Sequence, residues 1–218
     1  MGGTLLKRGR LAATERIEFR GGVAVRKTLF MRPRVPGLSE DFDRWLAARE
    51  VRQMRRAEGV EGVPRILAVP APNVYVREYV EGTALPRAPT PPGEFFDALR
   101  EIVLALHARG VTHNDLHKEA NVIVTPDGRP GLIDFQLSLS PPRDSQLFRI
   151  LARFDLYHVA KNRRHRTGVE LTGEEARLFT ETRAFRSFHR RLVKKPMNLL
   201  TRRLFPKALG KLPTDTDP

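Results

Sequence analysis

His113-Asn114-Asp115-Leu116-His117-Lys118-Glu119-Ala120-Asn121, followed closely by Ile133-Asp134-Phe135-Gln136, is the stretch on which the reading of this chain turns. Between its two halves, Val122-Ile123-Val124 and Gly131-Leu132-Ile133 flank Asp127-Gly128. Asp-Gly between short apolar runs is the signal of a β-hairpin with a type I′ turn. Such a hairpin folds Asn121 and Asp134 back beside each other, so one amide and one carboxylate meet at its open end.

Working outward, the N-terminal side reads as strands. Arg16 to Arg20 leads through Gly21-Gly22, a second hairpin signal, into Val23 to Leu29, where Val23, Val25, Lys27 and Leu29 share one face. A Pro-containing loop, 32–37, precedes a helix with Ser39 as N-cap, Glu40, Asp41 and Asp43 in its first turn, and Trp45, Leu46, Val51 and Met54 as its apolar face. Two more strands follow, Ile66–Val69 and Val74–Val80. The Pro-rich connector 86–93 marks a shift from strand-rich to helix-rich sequence and sets the expected boundary, with one lobe over 1–85 and the other over 86–212. From Glu94, Phe95, Phe96, Leu99, Ile102, Val103 and Leu106 recur at helical spacing until Gly110. The chain beyond Ser145 reads as helical, with breaks at Gly168, Gly173 and Pro196, and Thr214–Pro218 as a disordered tail. The outline is a two-lobed α+β protein.

Composition narrows the function classes. The 218 residues include no Cys, which excludes disulfides and thiolate metal sites and suits a reducing compartment. There is no h-region after Lys7 and Arg8, no apolar run of membrane-spanning length, and Leu6 occupies the Ser/Thr position of a myristoylation signal; a cytoplasmic location is expected. The six His residues show no zinc-ligand spacing. The 39 Lys+Arg against 25 Asp+Glu give a formal charge of +14, a field that attracts polyanions or simply keeps the chain soluble. No acidic residue falls between Glu181 and Asp215, whereas Arg186, Arg190, Arg191, Lys194, Lys195, Arg202, Arg203, Lys207 and Lys211 do. That segment suits an anionic membrane surface, peripherally at the inner face, or an RNA backbone. A helix packed on the second lobe with its charged face in water is the favoured reading.

Phosphoryl transfer from ATP asks for a carboxylate that orients the acceptor hydroxyl and for oxygen ligands that hold Mg²⁺ on the phosphates. Asp115 suits the first role; Asn121 and Asp134 suit the second. These residues resemble the catalytic loop (H-x-D…N) and the metal-binding D-F-G of the protein-kinase-like superfamily. Asp155-Leu156-Tyr157, about twenty residues after Asp134, resembles the D-L-Y helix of its minimal, atypical members. Those are the RIO-type kinases and the small kinase of the tRNA-threonylcarbamoylation complex; bacterial lipopolysaccharide kinases are a further likeness. The spacing leaves no room for a long activation segment. The resemblance covers roughly residues 16–164 and implies a two-lobed kinase-like fold with ATP and Mg²⁺ as cofactors. It implies Lys27 as the ATP-phosphate lysine, Glu50 as its ion-pair partner, and a hinge at Glu78-Tyr79-Val80-Glu81-Gly82 that receives adenine through the backbone of Glu78 and Val80. It further implies that His113 and Asp155 hold the catalytic loop, while His117 and Lys118 either meet the γ-phosphate or face solvent.

Three features depart from the family pattern. Asp115 and Asn121 stand six positions apart where H-R-D-x-x-x-x-N places them five apart. Gln136 replaces the Gly of D-F-G. No G-x-G-x-x-G is present, and Gly9, in Lys7-Arg8-Gly9-Arg10, marks at most a reduced phosphate loop in which one of those basic residues meets phosphate. The expected activity is a serine/threonine protein kinase. A small-molecule or lipopolysaccharide sugar kinase is the alternative, since Asp115-Leu116-His117 also resembles the D-L-H of antibiotic and choline kinases. A nucleotide-dependent binding module or ATPase switch is the non-kinase alternative.

Overall fold

The structure is a computed structural model, which describes residues 3–9, 11–30 and 39–189, with side chains up to 182. The expected loop 32–37, the break at Pro196, most of the basic C-terminal segment and the tail lie outside the described residues.

Five strands form an antiparallel sheet in the order β1-β2-β3-β5-β4: β1 (Thr4–Arg8), β2 (Ala12–Phe19), β3 (Gly22–Leu29), β4 (Ile66–Ala71) and β5 (Val74–Glu78). Arg20 (φ 51°) and Gly21 (φ 80°) make the expected turn between β2 and β3. Alternation along β3 buries Val25, Lys27 and Leu29 on one side; Val23, expected with them, lies beside the β2–β3 turn, before the pairing with β5 begins, and is exposed. Helix α1 (Ser39–Arg56) packs Leu46, Val51 and Met54 against the sheet. Trp45, read as part of that face, is instead 57% exposed, with Arg49 stacked 5.7 Å from its ring. At 100° per residue, position 45 lies on the outer flank of a helix whose inner face is centred on Leu46, Glu50 and Met54.

After β5 the chain leaves this sheet and enters a second one of three strands, β6 (Thr83–Ala84), β7 (Val122–Val124) and β8 (Pro130–Leu132). Helix α2 (Gly93–Ala108) follows the periodicity of its sequence, burying Phe95, Phe96, Leu99, Ile102, Val103 and Leu106, and ends at Gly110 (φ 72°). The β7–β8 connection is not type I′. Gly128 N–H donates to Thr125 C=O, Thr125 N–H donates to Arg129 C=O, and only Gly128 has positive φ. Pro126, whose ring holds φ negative, imposes a type I turn closed by a left-handed glycine, which is a three-residue loop.

Helix α3 (Gln146–Thr167) is capped by the Ser145 hydroxyl, which accepts from Phe148 N–H, and by Gly168 at its other end; α4 (Gly173–His189) packs on it. Only residues 135–145 separate Asp134 from α3, so there is no long activation segment. One core joins both halves, running from Leu29 and Tyr75 through α1 and α2 to Leu116, Val122, Leu132 and Phe135. No helix among the described residues is long and apolar enough to cross a membrane.

Candidate functional site

Three elements converge on the buried Lys27. β3 carries the lysine; α1 brings Glu50, whose Oε1 lies 2.8 Å from Nζ; and the end of β8 brings Asp134, whose Oδ1 lies 2.8 Å from the same nitrogen. Lys27 is 6% and Glu50 1% exposed, so both charges depend on each other for compensation. Burial alone lowers the lysine's pKa, but the Glu50 carboxylate, Tyr75 opposite it on β5, and Asp134 raise it well above its ordinary value. Burial likewise pushes the Asp134 carboxyl up, and Lys27 overrides this, with smaller help from Lys7 and Lys118, to hold it at about 2. The site is therefore a fixed cation–anion pair throughout the neutral range.

The loop bearing Asp115 is suspended from α3. Asp155 accepts the backbone N–H groups of His113 (2.7 Å) and Asn114 (2.8 Å) on separate oxygens and faces His107 Nε2 from α2 at 3.1 Å. Two turns along the same helix, Asn162 Nδ2 donates to Leu116 C=O at 3.1 Å. His113, fully buried, packs 4.9 Å from the Phe135 ring and lies 3.2 Å from Ile133 C=O through Nε2. Asn114 takes a left-handed conformation (φ 63°), and its amide donates to Thr112 Oγ1 and Leu137 C=O. Asparagine accepts that conformation at lower cost than most residues.

The extra residue between Asp115 and Asn121 is absorbed without separating them. Lys118 N–H donates to Asp115 C=O, Asn121 N–H donates to Lys118 C=O through a short 3₁₀ turn, and Asn121 Nδ2 then reaches Asp115 Oδ2 at 2.9 Å. Lys118 Nζ meets the same Oδ2 at 2.9 Å. Asp115 Oδ1 accepts no hydrogen bond among the described residues, and His117 Nδ1 lies 3.2 Å from it. Ile133 N–H donates to Asn121 C=O at 3.0 Å, so the β7–β8 hairpin places Asn121 next to the residue preceding Asp134. Asp115, Asn121, Asp134, Lys27 and Glu50 thus belong to one connected cluster.

The hinge residues divide. Glu78 is occupied: its N–H donates to Arg65 C=O, its C=O accepts from Arg77, and its carboxylate pairs with Arg65. Val80 makes no backbone hydrogen bond among the described residues. In the β1–β2 connection, Gly9 N–H donates to Ala12 C=O, a tight turn in place of a glycine-rich loop. Arg8 turns towards Phe30, 6.0 Å from its ring, leaving Lys7 as the basic residue of β1 whose field reaches Asp134; Arg10 lies outside the described residues.

One residue beside the cluster carries no sequence signal. Arg49 donates from Nη1 to Gln136 C=O (2.7 Å) and from Nη2 to Ser138 C=O (2.9 Å), while its neighbour Glu50 holds Lys27. One turn further on, Gln53 pairs with Ser140 Oγ. Asp134 itself sits in a left-handed conformation (φ 67°, ψ 74°), which costs a non-glycine residue about 1–2 kcal/mol and persists because the Arg49 clamp follows it directly. Side-chain pairing from α1 does here what Gly in D-F-G leaves flexible.

No protein-family model matches the chain, and no curated protein matches it either. Solved structures do. The Rio2 kinase from Chaetomium thermophilum superposes with a TM-score of 0.63 at 18% identity, covering 78% of this chain and 59% of that one. A Rio2 kinase–ADP/Mg²⁺–phosphoaspartate complex from Chaetomium thermophilum gives 0.59 at 19%, covering 78% and 57%. This chain therefore spans less than two thirds of the kinases it resembles. With its five-stranded sheet, helix-rich second half and short link from Asp134 to α3, it has a protein-kinase-like fold, similar to that of the Rio2 kinase.

Proposed function

We propose that this protein is an ATP-dependent phosphotransferase, and more narrowly an atypical serine/threonine protein kinase that moves the γ-phosphate of Mg-ATP to an acceptor hydroxyl. The observation that carries the reading is the bridging of Lys27 Nζ to both Glu50 and Asp134 at 2.8 Å, in a cluster that also holds Asp115 and Asn121. The donor set suits Mg²⁺. Among the described residues no group of three or more His, Cys, Asp or Glu is placed to hold an ion, whereas Asp134 and Asn121 offer one anionic and one amide oxygen. Mg²⁺ favours that pattern, with phosphate oxygens and water completing its shell. Mg-ATP, when bound, supplies the γ-phosphoryl group and the cation that neutralises its charge.

The chain's own residues do the rest. Lys27 meets phosphate oxygens from a position fixed by Glu50, Lys7 and Lys118 add positive field, and the Val80 backbone receives the adenine edge. Asp115 Oδ1, which accepts no hydrogen bond among the described residues, accepts the proton of the acceptor hydroxyl. The acceptor oxygen bonds to γ-phosphorus as the bond to the β,γ-bridging oxygen breaks, and its electrons leave with ADP. Positioning of this kind is most of what phosphoryl transfer requires. An ATP donor and a chain without Cys go with a cytoplasmic setting.

A second reading rests on the phosphoaspartate named in one of the similar structures. In this second reading a carboxylate of the chain itself, not an acceptor hydroxyl, takes the phosphate, and the chain works as a nucleotide-driven switch. Incubation with γ-labelled ATP and Mg²⁺, with and without a generic protein acceptor, separates the two. Label stable to hydroxylamine and lost in Asp115→Ala supports the kinase. Hydroxylamine-labile label confined to the chain itself supports the switch, and no ATP-dependent label or ADP refutes both.

A further inference from the structure

Helix α1 has a second working face. While Arg49, Glu50 and Gln53 point towards the site, the opposite side of the helix walls a groove of about 650 Å³ against β4 and the β4–β5 turn. Its rim is four arginines, Arg44, Arg52, Arg55 and Arg56, all exposed. Arg44, Arg52 and Arg55 follow helical spacing along one stripe, a rise of about 16 Å at 1.5 Å per residue. Ala48 sits in that stripe between Arg44 and Arg52, and its small side chain leaves the groove open. The floor is apolar, formed by Val51 from the helix and by Val69 and Pro72 from the far wall; Val69 is 45% exposed.

Charge in this groove is little compensated among the described residues. Arg44 makes only loose contacts, 3.8 Å, with Glu40 and Asp41 of its own helix. Arg52, Arg55 and Arg56 form no ion pair among the described residues. Arg55 and Arg56 stand in the last turn of α1, where the helix dipole favours cations, but Arg44 and Arg52 do not. Four cations around an apolar trough select a ligand that is anionic along its edges and apolar in the middle. Single-stranded nucleic acid needs aromatic faces for its bases, and the groove has none. A peptide that alternates acidic and aliphatic side chains fits both rim and floor.

We propose that the groove between α1 and β4 docks an acidic peptide segment of a partner protein, anchored by aliphatic side chains on Val51, Val69 and Pro72 and held by Arg44, Arg52, Arg55 and Arg56. The test is fluorescence anisotropy of the full chain with a fluorescein-labelled ten-residue peptide alternating Glu and Leu. The proposal expects saturable binding that the double variant Arg52→Glu/Arg55→Glu weakens about tenfold or more, like charges now facing each other. Val69→Asp weakens it comparably through the floor, and replacing the peptide's Leu by Ser weakens binding to the unaltered chain. All three substituted positions are exposed, and unchanged thermal unfolding verifies that the variants fold. Unaltered affinity in both variants overturns the proposal, because the peptide is then held elsewhere, the basic stretch 186–211 included. A ten-nucleotide RNA that binds more tightly than the peptide and loses affinity in the same variants also overturns it, in favour of nucleic acid. None of these readouts depends on phosphotransfer.

Discussion

Breaking the Lys27–Glu50 pair gives a measurable signature that no surface salt bridge would give. Glu50→Ala leaves the lysine with Asp134 as its only carboxylate, in a site where Lys27 is 6% exposed. Removing one member of a buried ion pair costs about 3–5 kcal/mol, and the retained Asp134 contact places Glu50→Ala near 3. Lys27→Met keeps much of the volume but strands the Glu50 carboxylate, itself 1% exposed, at a similar cost of about 3 kcal/mol. In the double variant neither charge is stranded, so the second substitution adds only a packing loss of about 1 kcal/mol. The four proteins therefore form a cycle with a coupling of about 2 kcal/mol, read by urea denaturation. In thermal unfolding each single variant melts roughly 6–12 °C lower, at about 2–4 °C per kcal/mol for a chain of this size. Additivity to within about 0.5 kcal/mol would show that the two side chains do not compensate each other, and the reasoning from this site would fail.

Three further outcomes follow from the same geometry. Asp134 has its folded pKa lowered from 3.8 to about 2, so its contribution is present above pH 4 and is lost as pH falls through 2. Asp134→Asn should flatten acid denaturation between pH 4 and 2 by about 2 kcal/mol, and an unchanged acid limb contradicts the pairing. Arg49→Met removes two hydrogen bonds from a charged donor and frees the segment after Asp134. Phosphotransfer should fall about tenfold or more through weaker Mg-ATP retention, with partial rescue by Arg49→Lys; an equal loss in the Lys variant would mark a merely steric role. Asp155→Ala strips two backbone N–H groups and His107 of their buried acceptor, a loss of about 3–5 kcal/mol by denaturant titration, and a change below about 1 kcal/mol would show that α3 does not hold the loop.

How much of this was legible in the sequence depended on whether a residue announces its place in the cluster through type and spacing. Asp115, Asn121 and Asp134 did, because a hairpin between metal-type ligands is a local arrangement. Lys27 on the buried face of β3 did so by alternation, and Glu50 only by analogy. Strand β1 did not: Leu5 and Leu6 are adjacent and both exposed, so no alternation marks the edge strand. Trp45 misled because a large aromatic near a helix's apolar stripe looks like core until the stripe's centre is known. Pro126 was the overlooked clue to the β7–β8 turn, since its fixed φ matters more than the Asp-Gly that follows. The six-residue spacing was open from sequence because turn closure by Asp115 C=O and Lys118 C=O depends on the fold around it. Arg49 and Asn162 were silent for the same reason. Each is a polar helix residue whose partners are backbone carbonyls from a distant segment, and backbone carbonyls leave no mark in a sequence.

The central claim, that Lys27, Asp115, Asn121 and Asp134 form a working phosphotransfer centre, is tested most directly by comparing Mg-ATP binding and phosphotransfer in Asp115→Ala and Asp134→Ala. Calorimetric titration gives the affinity, and label transfer from γ-labelled ATP gives the turnover. The account predicts that Asp115→Ala binds Mg-ATP within about twofold of the unaltered chain while transfer falls by about 10²-fold or more, because only the proton acceptor is gone. It predicts that Asp134→Ala loses Mg-dependent binding itself. Unaltered turnover in both variants, or equal loss of binding in both, would contradict it.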